Sequence, residues 1–144
     1  MPTLQPPSIR QRLLVLRIIW AALMLGQLIT MVLLLVLMQS RHTLYIAPNP
    51  VLTNISFAFA VIGPAIAFML RSAMFRRGQK AGRIDMPAYR LGNIVFWAWL
   101  EGCTFLALIT MYLNQSLWPT LGFAIILMGL QALTFPLSNR VAGL

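Results

Sequence analysis

The stretch that decides the fold is IVFWAWLEGCTFLALITMYL, residues 94–113. It is long and apolar enough to cross a bilayer as one helix, because about 20 apolar residues cover a hydrocarbon core of roughly 30 Å. Its only charged residue is Glu101, one of two acidic residues in the chain. A carboxyl group in the middle of such a helix is costly when ionised. It therefore indicates a bound proton, a bound cation or a buried partner.

The composition of the whole chain indicates a membrane protein. Hydrophobic residues make up 60% of the 144 residues and charged residues only 9%, whereas a soluble domain is about half apolar and about one quarter charged. The apolar residues form four long runs, which favours helices. Short alternating segments, typical of a membrane β-barrel, are missing from the sequence. We predict an all-α fold, a polytopic membrane four-helix bundle.

The apolar runs also give the predicted domain boundaries. We expect a flexible basic arm over residues 1–17, a transmembrane domain over residues 18–137 and a short cytoplasmic tail over residues 138–144. The four predicted spans are residues 18–38, 51–70, 91–113 and 120–137. A basic loop, residues 71–90, links the second and third spans. The short connection at residues 114–119 predicts a tight antiparallel hairpin of the third and fourth spans.

The distribution of positive charge predicts the topology. The net charge is +9, and ten of the eleven Lys and Arg residues lie in the arm, the 71–90 loop and the tail. Because positive residues hold loops in the cytoplasm, we expect both termini on the cytoplasmic side of a bacterial inner membrane. The basic residues flank the apolar runs, so the expected partner is the lipid bilayer and not nucleic acid. The residues assigned to topology and to lipid head groups are Arg10, Arg12, Arg17, Arg71, Arg76, Arg77, Lys80, Arg83 and Arg90.

Several polar groups are expected near the depth of Glu101. Counting from the basic side places Gln27 at a similar depth and Gln131 slightly closer to the cytoplasm. A proline in the second span frees the carbonyl group of Ala60, and Thr104 adds a hydroxyl group. We take these five residues as the candidates for binding a proton or a cation.

Two interpretations of these groups remain open at the level of sequence. Protonated Glu101 would donate a hydrogen bond to Ala60 or Gln27, whereas ionised Glu101 would require a cation. Alternatively the polar groups join helices, since interhelical hydrogen bonds contribute on the order of 0.6–2 kcal/mol. Helix packing is the favoured role of Gln27 and Gln131, and the two roles are equally weighted for Glu101. The expected close-packing positions are Gly26, Gly102 and Gly129.

The sequence contains no pattern that indicates an enzyme. There is no phosphate-binding loop, no nucleophile elbow and no metal-binding H-E-x-x-H motif. His42 has no neighbouring Cys or His, so no metal site is expected, and Cys103 is the only cysteine, so no intrachain disulfide can form. We expect no catalytic residues and no cofactor.

Part of the chain resembles the c subunit (proteolipid) of the rotary ATP synthase. VIGPAI at residues 61–66 is similar to the end of that family's inner helix, and RIDMP at residues 83–87 is loosely similar to its basic loop. AWLEGCTFLALITMYL at residues 98–113 is similar to its carboxyl-bearing outer helix. The resemblance implies that Glu101 carries the transported ion. The family's closely spaced inner-helix glycines are represented here by Gly63 alone.

The sequence therefore predicts a small multi-pass inner-membrane protein, similar to a c subunit, whose midmembrane Glu101 binds a proton or cation. The alternative is a non-catalytic accessory or assembly subunit of a larger respiratory or transport complex, in which Glu101 joins helices. Either function implies other membrane subunits as partners, in a homo-oligomer or a hetero-oligomer. A small multidrug exporter ranks last, because that family carries its glutamate in the first span, where this chain has Gln27.

Overall fold

A computed structural model describes residues 9–40, 49–80 and 83–136 of the chain. Its four helices are α1 (Ile9–Ser40), α2 (Pro50–Arg77), α3 (Met86–Leu113) and α4 (Thr120–Leu133). A short antiparallel hairpin of β1 (Gln79–Lys80) and β2 (Arg83–Ile84) links α2 to α3. The predicted all-α class is confirmed. Within the described residues, three helices are long and apolar enough to cross a membrane, and α4 is an apolar helix of shorter length.

Helix α1 begins well before the predicted first span. Residues 9–17, expected in the flexible arm, are helical. Leu13 and Leu16 in this segment are buried in the same cluster as Met86 and Tyr89 of α3. The Arg and Gln residues of this segment have good helix propensity, and the packing of Leu13 and Leu16 on α3 favours a helix that begins before the apolar run. The remainder of the predicted arm and the tail at residues 138–144 lie outside the described residues.

The predicted basic loop at residues 71–90 is mostly helical. Arg71, Arg76 and Arg77 belong to the last turns of α2, and Arg90 belongs to the first turns of α3. Aromatic contacts stabilise these extensions. The rings of Phe75 and Tyr89 stack with centroids 5.6 Å apart, and the guanidinium of Arg71 lies 5.1 Å from the ring centroids of both Phe75 and Phe96. Only the β1–β2 hairpin and its flanking residues connect the two helices.

Helix α4 is shorter than the predicted fourth span. It has 14 residues, which at 1.5 Å per residue is about 21 Å. The helix ends at Leu133, and the N–H of Thr134 turns back to the carbonyl of Gln131 at 3.1 Å. Pro136 follows two residues later and cannot donate the hydrogen bond that a continued helix requires. The segment 134–136 therefore continues the chain without helical structure.

Helix α3 is the centre of the bundle. It packs against each of the other three helices, and α4 also contacts both α1 and α2. The larger core cluster combines Leu16 of α1, Ala67 of α2, Leu127 of α4 and the α3 residues Trp97 and Leu100. Most large apolar side chains of α1 and α2, by contrast, are exposed on the outside of the bundle. In a soluble fold most large apolar side chains are buried, whereas here they form an apolar outer surface around a small core.

Close approach of the helices depends on glycines other than those expected. A Cβ atom on Gly63 of α2 would lie 2.6 Å from Sγ of Cys103, and one on Gly92 of α3 would lie 2.7 Å from the ring of Phe75. No heavy atom of a neighbouring element lies within 4 Å of a Cβ at any of the three predicted positions, Gly26, Gly102 and Gly129. The close-packing prediction was therefore wrong. These three glycines lie on faces that no other described helix covers tightly.

At the end of the bundle opposite the described basic residues, one asparagine joins the end of α3 to the start of α2. Oδ1 of Asn114 accepts a hydrogen bond from the backbone N–H of Asn49 at 3.0 Å, and its Nδ2 donates to Oγ1 of Thr53 at 2.9 Å. Asn114 is buried, so its substitution removes the hydrogen-bond partner of the Asn49 N–H and of the Thr53 hydroxyl. We expect Asn114→Leu to lower the free energy of unfolding by roughly 1–3 kcal/mol.

The measurement is unfolding in mixed micelles of increasing sodium dodecyl sulfate, followed by far-ultraviolet circular dichroism. The control is Asn54→Leu, which changes an exposed asparagine one residue from Thr53 and is expected to stay within about 0.5 kcal/mol of wild type. Equal stability of the two variants would show that Asn114 does not join α2 to α3.

Candidate functional site

Two glutamine side chains meet in the core between α1 and α4. Nε2 of Gln27 donates a hydrogen bond to Oε1 of Gln131 at 2.8 Å, and both side chains are completely buried. Their similar expected depth placed them near each other, and the structure brings their amides into contact. In an apolar core, this bond ties the two helices together at one depth.

Two of the four polar amide atoms in the glutamine pair form no hydrogen bond in the described structure. Oε1 of Gln27 and Nε2 of Gln131 have no hydrogen-bond partner within the described residues. One of these atoms is an acceptor and the other is a donor. A buried polar atom without a partner is costly. The pair is therefore a polar centre within an apolar core, and its one hydrogen bond engages only two of its four polar amide atoms.

Three further hydrogen bonds form at the C-terminal end of α4, and they were not predicted from the sequence. The carbonyl oxygen of Gln131 accepts from the indole Nε1 of Trp20 at 3.0 Å and from Oγ1 of Thr134 at 2.8 Å. Nε1 of Trp97 donates to Oγ1 of Thr134 at 3.0 Å. The signal in the sequence was the pair of tryptophans within apolar runs, since buried indoles require an acceptor. The acceptor of Trp20 is the carbonyl of Gln131 in the last turn of α4, which also accepts from the backbone N–H of Thr134, and the acceptor of Trp97 is the hydroxyl of Thr134.

Glu101 does not join this polar centre. Its side chain is partly buried, and it forms no hydrogen bond or ion pair with any residue that the structure describes. It follows Leu100, whose side chain is fully buried at the centre of the core. Because 3.6 residues make one turn, Glu101 lies on the flank of that core-facing side. Its carboxyl group is therefore at the margin of the core and not inside it.

The flank that carries Glu101 faces α1. Seven residues earlier, nearly two turns along α3, Ile94 lines a cleft between α1 and α3 together with Val15 of α1. Cys103, which contacts Gly63 of α2, projects from nearly the opposite side of the helix. Glu101 is thus turned away from α2 and toward the surface where α1 and α3 meet.

The other two predicted members of the site, Thr104 and Ala60, form no hydrogen bond with the carboxyl of Glu101 in the described structure. The hydroxyl of Thr104 donates to the carbonyl of Leu100 at 2.9 Å, within its own helix. Ala60 belongs to α2 and packs on the larger core cluster, whereas Glu101 faces α1. Of the five candidates, the structure joins only Gln27 and Gln131 by a hydrogen bond. Depth along a helix is set by sequence, but rotation about the helix axis depends on packing.

The basic residues that the structure describes lie at one end of the bundle. The stacking of Phe75 on Tyr89 brings the last turn of α2 to the first turn of α3. At the same end Nε of Arg17 donates to the carbonyl of Pro136 at 3.5 Å, and its guanidinium lies 5.4 Å from the ring of Phe135. The β1–β2 hairpin, with Lys80 opposite Arg83, also lies there. The residues near the other described end, such as Asn114, are uncharged.

The part of the chain that the structure describes contains no group of three or more His, Cys, Asp or Glu residues that could hold a metal ion. The two acidic residues occupy different regions, because Asp85 precedes the first turn of α3 and Glu101 lies in the middle of that helix. Any cation at Glu101 would therefore have one carboxylate ligand from this chain. His42 lies outside the described residues.

The chain was compared with protein families, curated proteins and solved structures. No family model, curated protein or solved structure matches the chain.

Proposed function

We propose that the chain is a multi-pass protein of the bacterial inner membrane, with both termini on the cytoplasmic side. Three described helices have the length and apolar composition of membrane spans, and the large side chains on their outer faces are exposed and apolar. The concentration of Arg and Lys at one end supports the orientation, because positive charge stays in the cytoplasm.

The fourth crossing is proposed to consist of α4 and the segment after it. Helix α4 alone, at about 21 Å, is shorter than a hydrocarbon core of roughly 30 Å. The chain continues to Pro136, whose carbonyl accepts from Arg17 at the basic end. The carbonyl of Gln131 is meanwhile covered by Trp20. Irregular backbone at membrane depth is tolerated when it is enclosed by protein in this way.

The proposed activity of the protein is proton binding by Glu101. One observation carries this proposal, namely a partly buried carboxyl group in the middle of α3 without a polar partner in the described structure. An ionised carboxylate there would be uncompensated in an apolar medium. Hard cations require several oxygen ligands, and Thr104 directs its hydroxyl to its own helix. A proton needs none of these ligands, so it fits the position better than a metal ion.

The resemblance to the c subunit supports the same assignment, because that resemblance places the ion-carrying carboxyl at Glu101. The packing of α2 on α3 at Gly63 is compatible with such a hairpin. In this proposal Glu101 exchanges its proton at the surface between α1 and α3, where a neighbouring subunit or the lipid would face it.

The second candidate function is that of a non-catalytic accessory or assembly subunit of a respiratory or transport complex. The observation that favours it is the uncovered apolar face of α1, which includes a shallow groove lined by Leu28, Ile29, Val32, Leu33 and Val36. In this alternative Glu101 donates a hydrogen bond to a group of an adjoining subunit.

Substitution of Glu101 by Gln tests the proton proposal. We expect purified wild-type protein to show the infrared carbonyl band of a protonated carboxylic acid, and Glu101→Gln to lack it. Since the carboxyl has no partner within the described chain, the free energy of unfolding should change by less than about 0.5 kcal/mol. Asp85→Asn is the matched control, because Asp85 is the only other acidic side chain, and the band should persist in that variant.

Proton flux into liposomes that contain a pH-sensitive dye separates the two candidate functions. Loss of flux in Glu101→Gln with unchanged folding supports proton transfer. Normal flux in the variant, or no flux in wild type together with weaker co-purification of other subunits by the variant, supports the accessory function. Absence of the carboxylic acid band from the wild-type spectrum contradicts the proton proposal directly.

A further inference from the structure

We infer that the cleft between α1 and α3 at the basic end binds one anionic phospholipid, with its phosphate between Arg12 and Arg90. The inference rests on the proposed membrane location and deepens it, since it assigns one ligand to one site. It is independent of the proton proposal for Glu101.

The cleft has the size and the polarity of a lipid site. Its volume is about 610 Å³. The guanidinium-bearing residues Arg12 and Arg90 line it at the basic end, and the apolar side chains of Val15, Leu91 and Ile94 form its walls. A charged mouth that leads to apolar walls matches an anionic head group followed by an acyl chain, and it matches a free inorganic anion less well.

Arg12 and Arg90 differ from Arg17 and Arg71 at the same end, because neither has a partner among the residues that the structure describes. Arg17 contacts Phe135 and the carbonyl of Pro136, and Arg71 lies on two aromatic rings. Arg12 and Arg90, by contrast, form no hydrogen bond, ion pair or ring contact with the described residues. Two guanidinium groups on one cleft without an internal counter-charge attract an anion, and guanidinium binds phosphate with paired hydrogen bonds.

The start of α3 adds to the positive potential of the cleft. Met86 and Pro87, the first residues of this long helix, line the cleft, and the N-terminus of a helix favours bound anions. Asp85 caps the helix without a side-chain hydrogen bond to it and does not line the cleft. Glu101 lies nearly two turns beyond Ile94. Neither Asp85 nor Glu101 therefore lines the cleft, and neither pairs with Arg12 or Arg90 in the described structure.

The apolar walls continue along the outer surface of α1. Ile18, one turn beyond Val15, is exposed on the outside of the bundle, and so is Leu91 on the α3 side. An acyl chain that leaves the cleft would remain in contact with apolar side chains toward the middle of the membrane. The ligand is for this reason assigned as a phospholipid and not as a soluble phosphate compound.

The test measures how strongly phosphatidylglycerol remains bound. Wild-type protein and variants are purified in mild detergent, titrated with phosphatidylglycerol or with zwitterionic phosphatidylcholine, and weighed by native mass spectrometry. We expect one phosphatidylglycerol per chain in the wild type. Loss of both charges in Arg12→Gln/Arg90→Gln should weaken its binding by about 30-fold, because each of the two arginines near an anionic surface contributes about fivefold.

The matched control is Arg76→Gln/Arg77→Gln, which removes the same charge from exposed positions at the same end. Its binding should stay within about threefold of wild type. Equal weakening by the two double variants would show that general charge, and not the cleft, holds the lipid, and would overturn the inference. Circular dichroism of each variant verifies that it is folded.

A third variant, Val15→Trp, fills the apolar part of the cleft and leaves both arginines in place. We expect it to displace the phospholipid as well. Unchanged phosphatidylglycerol binding in Val15→Trp contradicts an acyl chain in the cleft. Displacement of phosphatidylglycerol by millimolar inorganic phosphate, or equal retention of phosphatidylcholine, would likewise overturn the assignment to an anionic phospholipid.

Discussion

Gly63→Ala is expected to lower the free energy of unfolding by roughly 1–3 kcal/mol, the usual cost of overpacking a well-packed core. The added Cβ would lie 2.6 Å from Sγ of Cys103, a distance that non-bonded atoms do not adopt. The sulfur belongs to a short, buried side chain, so α2 and α3 must move apart. The better helix propensity of Ala, about 1 kcal/mol relative to Gly, offsets only part of this cost. Far-ultraviolet circular dichroism during unfolding in mixed micelles measures the change.

Two further variants make this prediction specific. Cys103→Ala removes the clashing sulfur, so Gly63→Ala/Cys103→Ala should be more stable than Gly63→Ala alone. Gly102→Ala is the matched control, because no heavy atom of a neighbouring element lies within 4 Å of a Cβ there, and it should be neutral or stabilising by up to about 1 kcal/mol. If Gly63→Ala and Gly102→Ala have the same stability, the α2–α3 contact is not as close as described.

Gln27→Leu is expected to lower the free energy of unfolding by roughly 1–3 kcal/mol, the cost of leaving a buried polar group without its partner. The substitution removes the 2.8 Å bond to Oε1 of Gln131, and Nε2 of Gln131 already lacks a partner in the described structure. The whole side-chain amide of Gln131 would then be unpaired in the core. Leu is close to Gln in volume, so the change tests hydrogen bonding rather than packing.

The double variant Gln27→Leu/Gln131→Leu distinguishes a specific bond from general destabilisation. It removes both amides, so no polar group of the pair remains buried, and its stability should exceed that of either single variant. Gln39→Leu, at an exposed position near the end of α1, should stay within about 0.5 kcal/mol of wild type. If the losses of the two single variants simply add in the double variant, the two amides do not interact.

Much of the local structure was predictable because it depends on local features of the sequence. The apolar runs gave helices where they were expected, and the short connection before α4 does return the chain along α3. The helix ends were less predictable, since Leu13 and Leu16 extend α1 by packing on α3. The end of α4 depends on the chain turning back at Thr134, where Trp20 and Trp97 contribute hydrogen bonds from two other helices.

For the candidate site, the sequence predicted the position of each residue along its helix but not the direction in which its side chain points around the helix axis. Counting residues placed Gln27 and Gln131 close enough to meet, and they do meet. The same count placed Ala60 and Glu101 together, but α2 packs on the side of α3 that carries Cys103, and Glu101 faces away from it. A difference of one or two positions changes depth by only about 1.5–3 Å, but it rotates a side chain by about 100–200° around the helix.

The sequence by itself determined that this protein is built of apolar helices with positive charge beside them, because composition and run length do not depend on how helices pack. It also determined that a single carboxyl group lies near the middle of the third helix. Only the tertiary structure decided which groups touch. It paired Gln27 with Gln131, selected Gly63 over Gly102 for close approach, and left Glu101 without a polar partner among the described residues. The physical reason is that contacts between helices depend on the rotation of each helix about its axis, and that rotation is set by the packing of all four helices together.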